Sequence, residues 1–347
     1  GVPTNMAIQG NGFFVLKDGT QQVYTRDGSF QLNGLNQLVS STGQLVQGYG
    51  TDSNYNITTG VLTNLTIPVG SLTVAQATSK TTFTGNLNTG GDVPTAVTDY
   101  TLVQPLYLTD GAGGVNPTNP PTGATLLTDV TDATGAAQFQ VGDVITLQGT
   151  KGTTQTRVIA PETLTVTNTT TLADLQSLMT GALGIDTTAG ANGPVATTAG
   201  VTIPATGNTA TLTIDGNIGL ENDLTLDSNS MTISRGGTTL TPYTFNKNST
   251  ADGESTVTSM TAYDSLGTPI TINVLAVLES KTSTGSTWRY FATSPANTSV
   301  TPPTSTAVGT GTLTFDTSGQ QTGMTSPVIT LNRSGTGAQP SLSITAD

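Results

Sequence analysis

Side chains able to do chemistry are scarce in this chain: its 347 residues include no His and no Cys. A Ser-His-Asp triad, a Cys-His pair and imidazole or thiolate metal sites are therefore unavailable. Carboxylates remain, with 22 Asp and Glu against 10 Lys and Arg. The four glutamates, Glu162, Glu221, Glu254 and Glu279, fall on no recognisable motif, so a glycosidase-like carboxylate pair would have to be assembled from distant segments. Asp52, Asn54 and Asn56 alternate like the start of a calcium loop. Position six of that loop is Ile57 instead of Gly and position twelve is Thr63 instead of Glu, so the stretch reads as a polar turn. Gly10-Asn11-Gly12 opens a G-x-G-x-x-G pattern that ends at Val15 with no helical pattern behind it, and reads as a tight turn before a strand. Lys151, within Gly149-Thr150-Lys151-Gly152, lacks P-loop spacing and reads as part of a hairpin turn. The sequence predicts no catalytic, cofactor or metal site, and the reading that survives is a soluble non-enzyme.

The charge balance narrows the partners. A formal net charge of -12 repels phosphate backbones, and the five Lys and five Arg are dispersed, so neither nucleic acid nor an anionic membrane is an expected partner. No apolar run approaches a membrane span, since the longest candidate, 270–278, is interrupted by Thr271 and Asn273. Charged residues make up 9% of the chain against roughly a quarter in an average soluble protein, while Gly, at 41 residues, is abundant. Few large exposed apolar residues are expected at 34% hydrophobic content, and a single large core is not. Such a composition suits β proteins that work outside the cytoplasm in assemblies or on surfaces. The chain starts at Gly1 without an initiator Met and stops just after a strand pattern, which reads as a fragment of a longer polypeptide.

The elements that must position these residues are mostly strands. The fold class predicted is mainly β: several antiparallel sandwiches or barrels, with a nested insertion and one short helix in the middle domain. In 6–50, short apolar runs are punctuated by Asp18-Gly19, Asp27-Gly28 and Asn33-Gly34, read as hairpin turns. Linker-like composition at 84–94 and 111–123 sets the expected division: 1–84, a discontinuous 85–108 plus 243–347, and an insertion at 109–242. The insertion carries a predicted helix at 172–184, opened by the capping-box-like Thr171-Leu172-Ala173-Asp174 and carrying a core-facing stripe. Strands are predicted at 100–108, 137–141, 143–147, 164–166, 210–214 and 224–234. Further on, 256–263 turns at Asp264-Ser265-Leu266-Gly267 into 269–278, with Ile270, Ile272, Val274, Ala276 and Leu278 on one face, and 287–293 pairs with that strand.

Two blocks of residues then bring a family into view. The run from Asn5 through Gly10, Asn11, Gly12, Phe13 and Phe14 to Leu16, followed by Tyr24-Thr25-Arg26-Asp27-Gly28-Ser29-Phe30 and by Gly43 to Gly48-Tyr49-Gly50, resembles the signature of bacterial flagellar axial proteins, the hook and rod family. Thr261-Ala262-Tyr263-Asp264-Ser265-Leu266-Gly267 with Trp288-Arg289-Tyr290 resembles the outer domain of hook proteins, which rod relatives lack. The likeness spans about 5–92 and 255–347; the insertion resembles only a variable extra domain. It implies a core fragment lacking terminal helices, export by the flagellar type III apparatus, and an extracellular place in the hook. It further implies a homo-oligomeric tubular polymer acting as a universal joint, with the hook cap, distal rod and hook-filament junction proteins as partners. The signature residues are then structural: Gly10, Asn11, Gly12, Phe13, Phe14, Tyr24, Arg26, Asp27, Gly28, Gly48, Tyr263, Asp264, Gly267 and Trp288. The competing readings are a secreted adhesive or carbohydrate-binding module, which would need solvent-facing aromatics, and a polysaccharide-active enzyme.

Overall fold

The computed structural model describes residues 3–50, 57, 59–67, 75–188, 190–298 and 305–347, so the rejected calcium loop at Asp52, Asn54 and Asn56 lies outside the described residues. Contacts divide the chain into two units, 1–74 and 75–347, each described by itself.

In the first unit, β1 (Phe14–Asp18), β2 (Gln21–Thr25), β3 (Phe30–Leu32), β4 (Leu38–Ser40), β5 (Leu45–Gly48) and β6 (Thr63–Asn64) form one antiparallel sheet, ordered β2-β1-β5-β4-β3 with β6 beside β5. Alternation along the strands sends Leu16, Phe30, Leu38 and Val46 to one buried face, flanked by Phe14, Val23, Leu32 and Leu65. The Phe14 and Phe30 rings meet edge to face at 5.0 Å. Only one of the three expected turns is a two-residue hairpin: Asp18 pairs with Gln21 around Gly19 and Thr20, with Gly19 at φ +59. Asp27-Gly28 joins β2 to β3, which do not pair. Gly28 is needed instead for a close approach: its carbonyl accepts from the Met6 N–H at 3.0 Å, and a Cβ there would overlap the Met6 carbonyl oxygen. At Asn33-Gly34 the loop is longer, and the positive φ belongs to Asn36 at +58.

That longer loop recurs. At Asn33, Asp110, Asp132, Asp264 and Asp316 one side-chain oxygen accepts the N–H groups of residues i+2 and i+4 at 2.7–3.1 Å. The backbone closes from N–H of residue i to C=O of i+4, and the positive φ falls at i+3, on Asn36, Gly113, Gly135, Gly267 and Gly319. The local code is therefore Asp/Asn-x-x-Gly/Asn, one oxygen satisfying two donors that the reversal would leave unpaired.

The second unit runs β7 (Lys80–Thr81), β8 (Asp99–Leu102), β9 (Leu106–Leu108), β10 (Val130–Thr131), β11 (Val144–Lys151), β12 (Arg157–Thr165), α1 (Leu172–Ala182), β13 (Gly200–Thr202), β14 (Ala205–Thr206), β15 (Thr209–Ala210), β16 (Thr213–Asp215), β17 (Leu224–Thr225), β18 (Met231–Arg235), β19 (Thr238–Leu240), β20 (Phe245–Ser249), β21 (Ser255–Tyr263), β22 (Pro269–Thr282), β23 (Gly285–Thr293), β24 (Ala307–Asp316), β25 (Gln321–Met324), β26 (Val328–Asn332) and β27 (Ser341–Ala346). Four of its sheets are antiparallel: β10-β9-β15-β14; β12-β11-β18-β19 with β17; β13-β16-β8-β20; and β21-β22-β23-β24-β25. A fifth, β26-β27-β7, ends in one parallel pair. Mainly β with one helix among the described residues agrees with the class predicted.

The helix keeps its predicted start. Asp174 N–H donates to Thr171 Oγ1 and Thr171 N–H to the Asp174 carboxylate, a reciprocal cap. It ends at Ala182, with Gly184 at φ +58. Leu172, Leu175, Leu178, Met179 and Ala182 are buried in the largest core, against Ile145, Leu147, Met231 and Ile233.

Several strand expectations need correction. The run 100–108 splits into β8 and β9 around Pro105, which has no N–H to give a ladder. No strand forms at 137–141; Phe139 turns inward and stacks on Tyr243 at 5.7 Å. The run 224–234 breaks where Asp227 accepts from the N–H of Asn229. On β22 the single apolar face changes sides: Ile270, Ile272 and Val274 face Ile329, Leu331 and Ile344, while Leu275 and Val277 are buried with Val97, Ala191 and Ile218. Covered on both faces, the strand no longer alternates apolar with polar.

Gly28→Ala is expected to push the Met6 segment off the sheet, costing at least about 1 kcal/mol. Amide exchange at Met6 should accelerate, and unchanged protection there would contradict the close-approach role.

Candidate functional site

The charged side chains of the second unit are largely engaged in holding its strands. Asp143 pairs with Arg235 at 2.7 Å, Asp223 with Lys247 at 2.6 Å, Glu279 with Arg289 at 2.8 Å and Asp264 with Arg333 at 3.2 Å. Glu221 is buried and accepts from Thr154 N–H, Thr154 Oγ1 and Gln155 N–H, which fastens the β11–β12 loop to the turn at Leu220–Asn222. Among the described residues no group of three or more Asp or Glu could hold a metal ion. Burial raises the Asp215 carboxyl to about 6, helped by repulsion from Asp99, its cross-strand neighbour. Lys151 is not in a turn: it closes β11, buried, with Nζ donating to the Gly184 carbonyl at 3.0 Å.

The signature residues of the first unit make a knot of backbone contacts. Gly10, at φ +100, presents its carbonyl to Arg26 Nη2 at 2.7 Å. Asp27 accepts from Ser29 N–H at 3.0 Å, and bonds to Ser29 hold its carboxyl below the usual value. Gly28 admits Met6, and Thr4 Oγ1 donates to the Phe30 carbonyl at 2.6 Å, so the segment before β1 is strapped across the start of β3. Gly48 packs against Leu65, whose side chain would meet a Cβ at 2.9 Å. Asn11 and Gly12 lie in the turn before β1, and Phe14 joins the core. Phe13 and Tyr24 point outward and are 62% and 63% exposed.

Tyr263, Asp264 and Gly267 share one turn. Burial raises the Asp264 carboxyl, but the N–H groups of Thr268 and Leu266 and the Arg333 guanidinium together outweigh it and hold the group below the usual value. Tyr263 exchanges hydrogen bonds with Thr78, its N–H to Thr78 Oγ1 and its carbonyl from Thr78 N–H. Trp288 is elsewhere. It pairs with Leu278, nine positions along β22 from the Pro269 that faces Tyr263, roughly 30 Å at about 3.3 Å per residue. Trp288 is also 1% exposed, so it offers no stacking platform for a sugar. Arg333 and Thr78, which hold this turn, carry no sequence signal, because their partners are 69 and 185 residues away.

The surface departs from expectation. Seventeen large apolar side chains are exposed among the described residues, and nine of them lie in the first unit, including Met6, Phe13, Tyr24, Leu35 and Tyr49. For Tyr24, which lies within β2, the sheet explains this. Register places Tyr24 and Gln47 beside Val15 on the face opposite Leu16, and no second layer among the described residues of the unit covers it.

Two family models match the chain: the flagellar hook protein FlgE/F/G D1 domain over residues 7–86 and the flagellar basal body protein FlaE D2 domain over residues 225–347. The flagellar hook protein FlgE of Helicobacter pylori strain J99 is 28% identical over 165 residues, covering 44% of this chain and 22% of that protein. The basal-body rod protein FlgG of Buchnera aphidicola is 56% identical over 45 residues, 12% of this chain and 17% of that protein. The chain thus spans about a fifth of the length of the curated relatives it matches. A crystal structure of Helicobacter pylori flagellar hook protein FlgE2 aligns over 99% of this chain and 76% of its own, at 15% identity and a TM-score of 0.33.

The carboxyl groups give a two-sided pH dependence. Asp27, Asp110, Asp132 and Asp264 sit below their unfolded value of about 3.9, so the stability they contribute is present above it and lost as pH falls through their folded values. Asp215 is raised, so its contribution is full below about 3.9 and lost as pH rises through about 6. Asp215→Asn should therefore flatten the urea-midpoint profile between about pH 4 and 6, the interval between the unfolded and folded values, and leave the acid limb below pH 4 in place. A variant with the wild-type slope from about pH 4 to 6 would contradict this.

Proposed function

We propose that this chain, which belongs to the flagellar hook protein family, forms part of a structural subunit of the bacterial flagellar hook, polymerising into a curved helical tube that transmits motor torque to the filament as a universal joint. The observation that carries the proposal is the pair of family matches in order on one chain, D1 at 7–86 and D2 at 225–347. Rod relatives resemble the first block, and the second favours the hook.

In this reading the subunit does its work by keeping its shape while its contacts change. The five Asp/Asn turns and the buried ion pairs supply stiffness within each unit. The exposed apolar side chains of 1–74 supply surface for tight packing against neighbouring copies, which accounts for Phe13 and Tyr24 within an otherwise structural signature. The weakly charged surface rich in Thr, Ser and Asn suits wet contacts that can slide as the tube turns. Three domains follow for the chain: 1–84, then 85–108 with 243–347, and an inserted 109–242. The hook cap, distal rod and hook-filament junction proteins are the further partners, and the flagellar type III apparatus the export route.

Disrupting the gene in the source bacterium should leave basal bodies without hooks or filaments in electron micrographs, with hooks restored by the intact gene. Normal hooks in the disrupted strain would overturn the proposal.

A further inference from the structure

Two of the ten cationic side chains, Lys151 and Arg157, line one cleft of about 140 Å³, where the β11–β12 hairpin and the end of α1 meet the ends of β22 and β23. Neither has an ion-pair partner among the described residues, whereas Lys80, Arg235, Lys247, Arg289 and Arg333 each do. Lys151 is 6% exposed, and of its three donors the only acceptor seen is the Gly184 carbonyl. Arg157 Nη2 donates to the Glu221 carbonyl, while its Nε is buried with no protein acceptor. The nearby carboxylate of Glu221 is taken up by Thr154 and Gln155, and Asp186 accepts from Thr188 N–H. The sheet contributes only uncharged groups, with Ser294 Oγ committed to the Thr271 carbonyl and the Asn273 amide lining the cleft.

Two cations with N–H donors that no protein group accepts repel each other in one cleft, which costs stability. Burial first, and then the Arg157 charge, push the Lys151 amine down to about 7, with Asp186 opposing. An anion between the two would remove that cost and gain charge-assisted hydrogen bonds. We propose that this cleft is a binding site for a small free oxyanion of the phosphate or sulfate class, held between Lys151 Nζ and the Arg157 guanidinium. Binding there would clamp the β11–β12 hairpin and the helix end to the β22–β23 sheet. The inference stands apart from the assembly reading.

The test is a titration of the 347-residue chain with sodium phosphate, sodium sulfate and, at matched ionic strength, sodium chloride, read at the Arg157 Nε–H and Gly184 amide resonances and by thermal unfolding. Phosphate or sulfate should produce a saturable shift at both resonances and raise the unfolding temperature, and chloride should do neither. Lys151→Met and Arg157→Lys should each weaken the apparent affinity by about ten-fold or more. The proposal is overturned by an absence of saturation in the wild-type chain, by equal shifts with chloride, by undiminished binding in both folded variants, or by saturation with an acidic peptide alone.

Discussion

A single carboxylate or carboxamide oxygen that takes two backbone N–H groups, two and four residues ahead of it, is the interaction on which the rest of this chain leans. With 41 glycines and few charges, the sequence must reverse direction often without leaving peptide groups unpaired. Asn33, Asp110, Asp132, Asp264 and Asp316 do this in the same way, each with a positive φ three residues on. The acidity of the chain is thereby given a structural use. Aspartates that might have been read as catalytic or cation-binding groups are acceptors in turns, and their lowered carboxyl values follow from those bonds.

The strands joined by such turns do not share one core. Among the described residues four separate clusters form instead: around α1, between β22 and β26–β27, on the opposite face of β22, and within the first unit. Among its described residues the first unit has four fully buried apolar side chains, and none of them forms a layer over the other face of its sheet. For an isolated protein that face is a liability. In a polymer it is a surface whose burial rewards assembly.

Much of this was legible in the residues, and the failures have physical causes. Thr171, Asp174 and the Leu172–Leu175–Leu178 spacing placed the helix, because cap and stripe are local. The hairpin from 255 to 293 was legible for the same reason, down to the turn at Asp264. Gly28 was misread because Asp-Gly marks both a hairpin turn and a place where another backbone comes close, and only the position of Met6 tells them apart. The side change at Leu275 depends on Val97, Ala191 and Ile218, all remote in sequence. Lys151 looked like a turn residue beside two glycines, yet its strand runs on to it and α1 caps it with a carbonyl. The exposed Phe13 and Tyr24 sit within the apolar runs between turns, and such runs alone do not say which side chains a second layer covers.

In the proposed assembly the open face and outward aromatics of 1–74 are covered by neighbouring copies. Hydroxyl-radical footprinting of Phe13, Tyr24 and Tyr49, compared between the isolated chain and hooks purified from the source bacterium, tests it directly. Several-fold slower modification of Phe13 and Tyr24 is expected in the hook. Equal rates in the two states would contradict it.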